Sequence, residues 1–198
     1  MGLSIAFILS IAAAVLLVIQ TGLNIGVFSR LLSGGYEKPH ENSLFKGGTS
    51  VIIAARNEAA NLAANLPHIL EQQHERFEVI VVNDHSVDET RWVVKDLQAS
   101  YPHLHLLDLS AHIWNKPGKK LALTLGIKKA SYEVILLTDA DCQPASQHWI
   151  ALMEQPFTDP ETKFALGFAP YQGAAGTLAR FVQYETFQTA FYYLGLGL

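Results

Sequence analysis

Charge is what this sequence has least of. Asp, Glu, Lys and Arg make up only 16% of its 198 residues, against 49% hydrophobic ones. The shortage is concentrated at one end, because no charged residue occurs from Leu3 to Ser29. Within that span "LSIAFILSIAAAVLLVI", Leu3 to Ile19, is apolar but for two serines, and a weaker stretch runs on to Leu32. Such a run is long enough to cross a bilayer as a helix. A cleaved signal peptide would begin with a basic region and carry a shorter apolar core. A core helix of a soluble protein is rarely apolar all round. Residues 1–32 therefore read as a transmembrane anchor.

Other shortages exclude whole classes of function. The single Cys142 rules out an internal disulfide and any multi-cysteine zinc site. Net charge is −4 with no basic tract, which argues against nucleic acid as a partner. The eight histidines include no pair at helical i, i+4 spacing, so no histidine-based metal site is expected on a helix. No internal repeat or low-complexity segment occurs. The few basic residues near the anchor, Arg30, Lys38 and Lys46, all follow it, and the positive-inside rule then puts the remainder of the chain in the cytoplasm.

Beyond the anchor, residues 33–48, "SGGYEKPHENSLFKGG", read as a linker rich in Gly and polar residues. A regular alternation follows. Strands are expected at "TSVIIAA" (Thr49 to Ala55), "FEVIVVND" (Phe77 to Asp84), "HLHLLDL" (His103 to Leu109), "YEVILLTDAD" (Tyr132 to Asp141) and "KFALGFA" (Lys163 to Ala169). Helices are expected at Asn57 to Gln73, Val87 to Tyr101, Gly118 to Ala130 and Ser146 to Gln155. Strand alternating with helix predicts an α/β domain over 49–175, built on an open, mainly parallel sheet flanked by helices. Residues 176–198 form an aromatic, amphipathic segment in which Phe181, Tyr184, Phe187, Phe191 and Tyr192 recur at helical spacing. It ends at Leu198 with no cap and no polar tail, which reads as a chain cut short.

In open α/β sheets ligands bind beyond the carboxyl ends of the strands, and three of these ends are polar. They are "AARNE" (Ala54 to Glu58), "NDHSVDE" (Asn83 to Glu89) and "TDADC" (Thr138 to Cys142). Asp139 and Asp141 sit at i and i+2 and share a face if the segment is extended. Two carboxylates so close repel unless a cation or a donor lies between them. A hard divalent ion, Mg²⁺ or Mn²⁺, suits them and keeps open positions for phosphate oxygens. Solvated, helix-capping aspartates are the competing reading. Asp84 ends an apolar run and precedes the cap, so its carboxylate is available to the base or ribose of a nucleotide. Asp88 reads as a capping residue. Lys119 or Lys120 at a helix start opposes the macrodipole, which an anionic partner would explain, with a solvated helix face as the competing reading. Arg56 raises the same question, and His85 is read as a bystander.

The order "SVIIAARNE", "VIVVNDHSVDET", "GKKLALTLGI", "VILLTDADCQP" resembles the amino-terminal half of family 2 glycosyltransferases, over about Thr49 to Phe168. The resemblance implies the GT-A fold and an enzyme that takes a nucleotide-diphosphate sugar and transfers the sugar with inversion to a glycan, lipid or other acceptor. It implies that the strand-end residues Ala55, Arg56 and Glu58 line the nucleotide-sugar site. It implies that Asp84 contacts the base, that Lys119 lies near the nucleotide, and that Asp139 and Asp141 hold diphosphate and metal. The anchor and the aromatic segment resemble the membrane-bound branch, which includes cellulose synthase and poly-N-acetylglucosamine synthases. The first motif departs from the common family form at Ala54, Ala55 and Arg56. The family's catalytic-base carboxylate and its Q-x-x-R-W motif are absent, and both normally lie beyond the position of Leu198. Glu185 reads as a helix-face residue and not as that base. Two rival readings are a haloacid-dehalogenase-like phosphatase, which also uses D-x-D after a strand, and a non-catalytic membrane-anchored nucleotide-binding protein.

Overall fold

The structure is a computed structural model that describes residues 4–33, 47–109, 118–171 and 175–197. Lys38, Lys46 and most of the expected linker, residues 34–46, lie outside the described residues, as does the side chain of Arg30. The chain divides into two compact units: Met1–Lys38 with Phe168–Leu198, and Pro39–Gly167.

The larger unit is built on four strands: β1 (Thr49–Ala55), β2 (Phe77–Asn83), β3 (Leu104–Asp108) and β4 (Val134–Asp139). They lie in the order β3-β2-β1-β4, and all three pairings are parallel. The centres of β1 (Val51 to Ile53) and β2 (Val79 to Val82) are unbroken runs of Val and Ile, which suits strands buried on both faces. One face carries Val51, Ile53, Val79 and Val81 into a core shared with α2 (Ala59–Leu70), α3 (Thr90–Gln98) and α5 (Trp149–Glu154). α2 contributes Leu62, Leu66, Ile69 and Leu70, all buried and all on one helical face. The opposite face carries Ile52, Ile80 and Val82 against α4 (Lys119–Lys129). α4 comes close to the sheet because its contact residues are small, Ala122 and Gly126. Truncating a buried leucine such as Leu66 to Ala would cost about 2–5 kcal/mol.

The amino ends of the strands are closed by buried polar groups that all find partners. Glu154 of α5 accepts hydrogen bonds from Thr49 Oγ1 and from His74 Nε2, the latter at 2.8 Å. Glu78 accepts from Ser50 Oγ at 2.6 Å and from the Ser131 N–H at 2.6 Å, which ties the α4–β4 connection to β1 and β2. Gln72 takes the Ile150 N–H and donates to the Ser146 carbonyl, so the chain after β4 is pinned to the end of α2. With that end fixed, the opposite rim of the sheet is left for loops.

The expected helices are shorter at both ends, and the loop chemistry explains their starts. Asn57 adopts a left-handed conformation (φ 57), so α2 begins only at Ala59. Asp88 accepts the Thr90 N–H at 3.0 Å, which delays α3 to Thr90 and leaves Asp88 and Glu89 just ahead of the helix. The expected strand Lys163 to Ala169 does not form. Its backbone joins no ladder, and Phe164, Leu166 and Phe168 are exposed. A short 3-10 turn, Gln155–Thr158, and an irregular segment take the chain away from α5.

The smaller unit pairs α1 (Ile5–Ser33) with α6 (Thr177–Gly197). The Phe28 and Phe191 rings stack at 6.4 Å. The Gln20 side-chain amide donates to the Tyr192 hydroxyl, which donates to Asn24 Oδ1, so the polar groups of this apolar pair satisfy one another. Ile5–Ser29 is long and apolar enough to cross a membrane.

Candidate functional site

Register brings the polar strand ends together. Ala55 of β1 is level with Asn83 of β2, and Ala54 is level with Asp139 of β4. Ala55 itself is buried in the core, and its carbonyl accepts the Asp84 N–H at 2.8 Å, so only its backbone reaches the rim. Arg56 is exposed just beyond it. The β1–α2 and β2–α3 loops are stitched to each other. The Asn57 N–H donates to Ser86 Oγ, the Val87 N–H to Asn57 Oδ1, the Glu58 N–H to Thr90 Oγ1 and the Ala59 N–H to Asp88 Oδ2, at 2.8–3.1 Å. Asp88 thus satisfies the first turns of two helices. Burial pushes its carboxyl up, but the hydrogen bonds from Thr90 and Ala59 outweigh that and hold it below the usual carboxylate value. Its expected capping role is therefore the observed one. Glu58 accepts from Asn61 Nδ2 at 2.6 Å.

Asp84 is 4% exposed at the end of β2. The Gly118 N–H donates to its Oδ2 at 2.7 Å, and His85 Nδ1 lies 2.9 Å from its Oδ1. Neither partner is evident from the sequence. Gly118 is distant along the chain, and His85 is an immediate neighbour that an extended backbone would turn away.

At β4 the strand ends with Asp139, and Ala140 and Asp141 form a turn where an extended continuation was expected. Asp139 and Asp141 are nevertheless both exposed. Ala140 between them is buried in the core, and its carbonyl accepts from Asn65 Nδ2 of α2 at 3.0 Å. Lys119, the first residue of α4, places Nζ 2.6 Å from Asp139 Oδ1. Both side chains are more than half exposed, so this ion pair is a weak one, worth about 0–1 kcal/mol, and readily exchanged. Lys120 is exposed on the same turn. Burial pushes the Cys142 thiol up, with the Asp141 and Asp139 carboxylates adding to the effect, which disfavours its thiolate.

No cluster of three or more His, Cys, Asp or Glu suited to a metal occurs among the described residues. Two exposed carboxylates and no soft donor set fit a hard cation that takes its remaining ligands from phosphate and water. Asp84, Asp139, Asp141, Lys119 and the backbone of Ala55 thus belong to one rim, with Arg56 and Glu58 on the adjoining loop. Glu185 lies in the other unit, exposed on α6.

The sequence model of glycosyl transferase family 2 matches residues 50–195. The chain belongs to that family. Among its curated relatives is the poly-β-1,6-N-acetyl-D-glucosamine synthase of Staphylococcus epidermidis. It is 32% identical over 112 residues, which cover 53% of this chain and 26% of the synthase. The synthase of the same name from Staphylococcus aureus strain COL is 30% identical over 105 residues, covering 53% and 24% respectively. The chain therefore spans about a quarter of the length of these relatives. Among solved structures, the mannosyltransferase of Pyrobaculum calidifontis in complex with GDP-Man and Mn²⁺ superposes with a TM-score of 0.56 at 26% identity. That likeness covers 72% of this chain and 43% of the other. The α/β fold with a parallel sheet and flanking helices is the GT-A-like fold that the motif order implied. The haloacid-dehalogenase-like reading falls with this result, and its D-x-D would also belong on the first strand, whereas here it ends the fourth.

Proposed function

We propose that this chain forms the donor-binding part of a membrane-anchored, inverting glycosyltransferase that uses a nucleotide-diphosphate sugar and Mg²⁺ or Mn²⁺. The observation that carries the reading is the convergence of Asp84, Lys119, Asp139 and Asp141 on one sheet rim. Support comes from the family membership and from a structural neighbour solved in complex with GDP-Man and Mn²⁺.

In this reading Asp84 accepts hydrogen bonds from the nucleobase, because a carboxylate oxygen can accept more than one. Its Oδ2 stays tied to Gly118 while it does so. Lys119 leaves Asp139 and pairs with the diphosphate, an exchange that their exposed ion pair makes cheap. Asp139 and Asp141 hold the divalent ion, which when bound neutralises charge on the departing diphosphate. Arg56, exposed at the end of β1, adds positive charge at the rim. Inversion requires a base to take the acceptor's hydroxyl proton. Every strand-end carboxylate here has another task, so the base lies outside this set. The acceptor is a glycan, a lipid or another hydroxyl compound. The apolar helix Ile5–Ser29 anchors the chain, with the sheet unit in the cytoplasm beside the donor.

Calorimetric titration of the chain in detergent with UDP and with GDP, with and without Mn²⁺, tests the reading. One of the two should bind, more tightly with the metal. Asp141→Asn should abolish the metal's contribution, and Lys119→Met should weaken nucleotide binding about fivefold, as expected for one charge contact of about 1 kcal/mol. A metal contribution that is unchanged in Asp141→Asn would remove the site.

A further inference from the structure

His85 follows Asp84 directly, and consecutive side chains of an extended segment point to opposite sides. Its ring reaches Asp84 because its backbone is left-handed, with φ 57. That conformation is uncommon for any residue with a side chain and is unfavourable unless its surroundings hold it. The described residues contain one other such case outside glycine, Asn57, whose side chain is used in stitching the loops together. At His85 the left-handed turn serves another end. Nδ1 lies 2.9 Å from Oδ1 of a carboxylate that is almost wholly buried. A carboxylate accepts, so Nδ1 carries the hydrogen and His85 donates.

We propose that His85 is a positioning residue for the nucleoside of the donor. From its left-handed turn it fixes Oδ1 of Asp84, while the Gly118 N–H fixes Oδ2. The carboxylate plane is thereby set before any ligand arrives. Each oxygen keeps a further lone-pair site, and the orientation of the plane decides whether that site meets a base N–H. So little of Asp84 is exposed that the base can approach from few directions, and a rotated carboxylate would present no acceptor to it. The inference rests on the reading that Asp84 contacts the base.

A merely structural role and a positioning role differ in what they protect. Glycine prefers the left-handed region, so His85→Gly relieves the backbone and removes the ring together. Asparagine tolerates that conformation and carries an N–H donor at similar reach, so His85→Asn is the conservative variant. The full chain in detergent is titrated with UDP, GDP and pyrophosphate, each with Mn²⁺. Whichever nucleoside diphosphate the unaltered chain binds should bind His85→Gly about fivefold to tenfold more weakly, as expected when the base's hydrogen bond to Asp84, worth about 1 kcal/mol, is no longer aligned. Pyrophosphate should bind as before, and His85→Asn should restore nucleotide binding to within about twofold. Equal nucleotide affinity in His85→Gly, or equal weakening of nucleotide and pyrophosphate, overturns the proposal while leaving the Asp84 site standing. If the unaltered chain binds pyrophosphate but neither nucleotide, the reading of Asp84 fails and the proposal fails with it.

Discussion

Gly126 is the position where one added methyl group should be felt both in the fold and in the site. A Cβ built there would lie 2.6 Å from Ile52 Cγ2 and 3.1 Å from Val82 Cγ2. Ordinary contact begins near about 3.5 Å, so the gap must open by close to an ångström. Ile52 cannot yield easily. It is fully buried in the sheet and β-branched, with few χ1 choices. α4 must therefore lift from β1 and β2. Overpacking of this kind costs about 1–3 kcal/mol. Alanine returns about 1 kcal/mol through its better helix propensity. The net loss in Gly126→Ala is then about 0–2 kcal/mol, and a loss at the middle of that range lowers the melting temperature of a unit of this size by about 3–6 °C. Circular dichroism melts of the chain in detergent measure it. Gly118→Ala is the control, because no atom of the described residues lies within 4 Å of its added Cβ and its φ of 178 is extended backbone. The lift should also disturb the site. α4 begins with Lys119, paired with Asp139, and follows Gly118, bonded to Asp84. Nucleotide affinity should thus fall in Gly126→Ala along with stability. An unchanged or higher melting temperature would show that propensity outweighs packing and that α4 is not held at the distance argued.

Two further outcomes are expected away from the rim. Burial pushes the Glu78 carboxyl up, but the hydrogen bonds from Ser50 and Ser131, with His105 beside it, outweigh that and hold it below its ordinary 4.5. A depressed carboxylate contributes stability that is complete above its ordinary value and is lost as pH falls through the lower folded value. Glu78→Gln should therefore melt below the unaltered chain near neutral pH, and the difference should shrink in melts taken progressively below pH 4.5. For topology, a cysteine at Ser33 in a Cys142→Ser background should resist membrane-impermeant thiol reagents in intact cells and label after permeabilisation. Rapid labelling of intact cells would reverse the proposed orientation.

Much of the sheet unit is legible because its sequence repeats one pattern. β1 occupies Thr49–Ala55 as expected, and β2, β3 and β4 fall inside their expected spans. Apolar β-branched runs separated by helical periodicities leave few alternatives to a parallel sheet. Ligands of such sheets lie beyond the carboxyl ends, so polar residues at those ends mark the rim from sequence alone. Helix starts are less legible, because side-chain oxygens set them. Asp88 captures two helix N-termini at once, and no periodicity announces an acceptor that serves a loop about thirty residues earlier.

The departures from expectation at His85 and at residues 163–169 run in opposite directions and have one cause. The segment "KFALGFA" alternates in the way a half-buried strand does, yet it joins no ladder. Alternation records only that side chains would suit a pleated surface, and a strand exists only when a neighbour supplies the hydrogen bonds. His85 looks idle in the sequence because an extended chain would turn it away from Asp84, and one backbone dihedral turns it back. In both places residue type and spacing are what the pattern requires, and the outcome is decided by a geometric relation that spacing does not encode. The proposed donor rim should therefore be tested first at the residues whose direction depends on such a relation, with Gly118 and His85 on either side of Asp84.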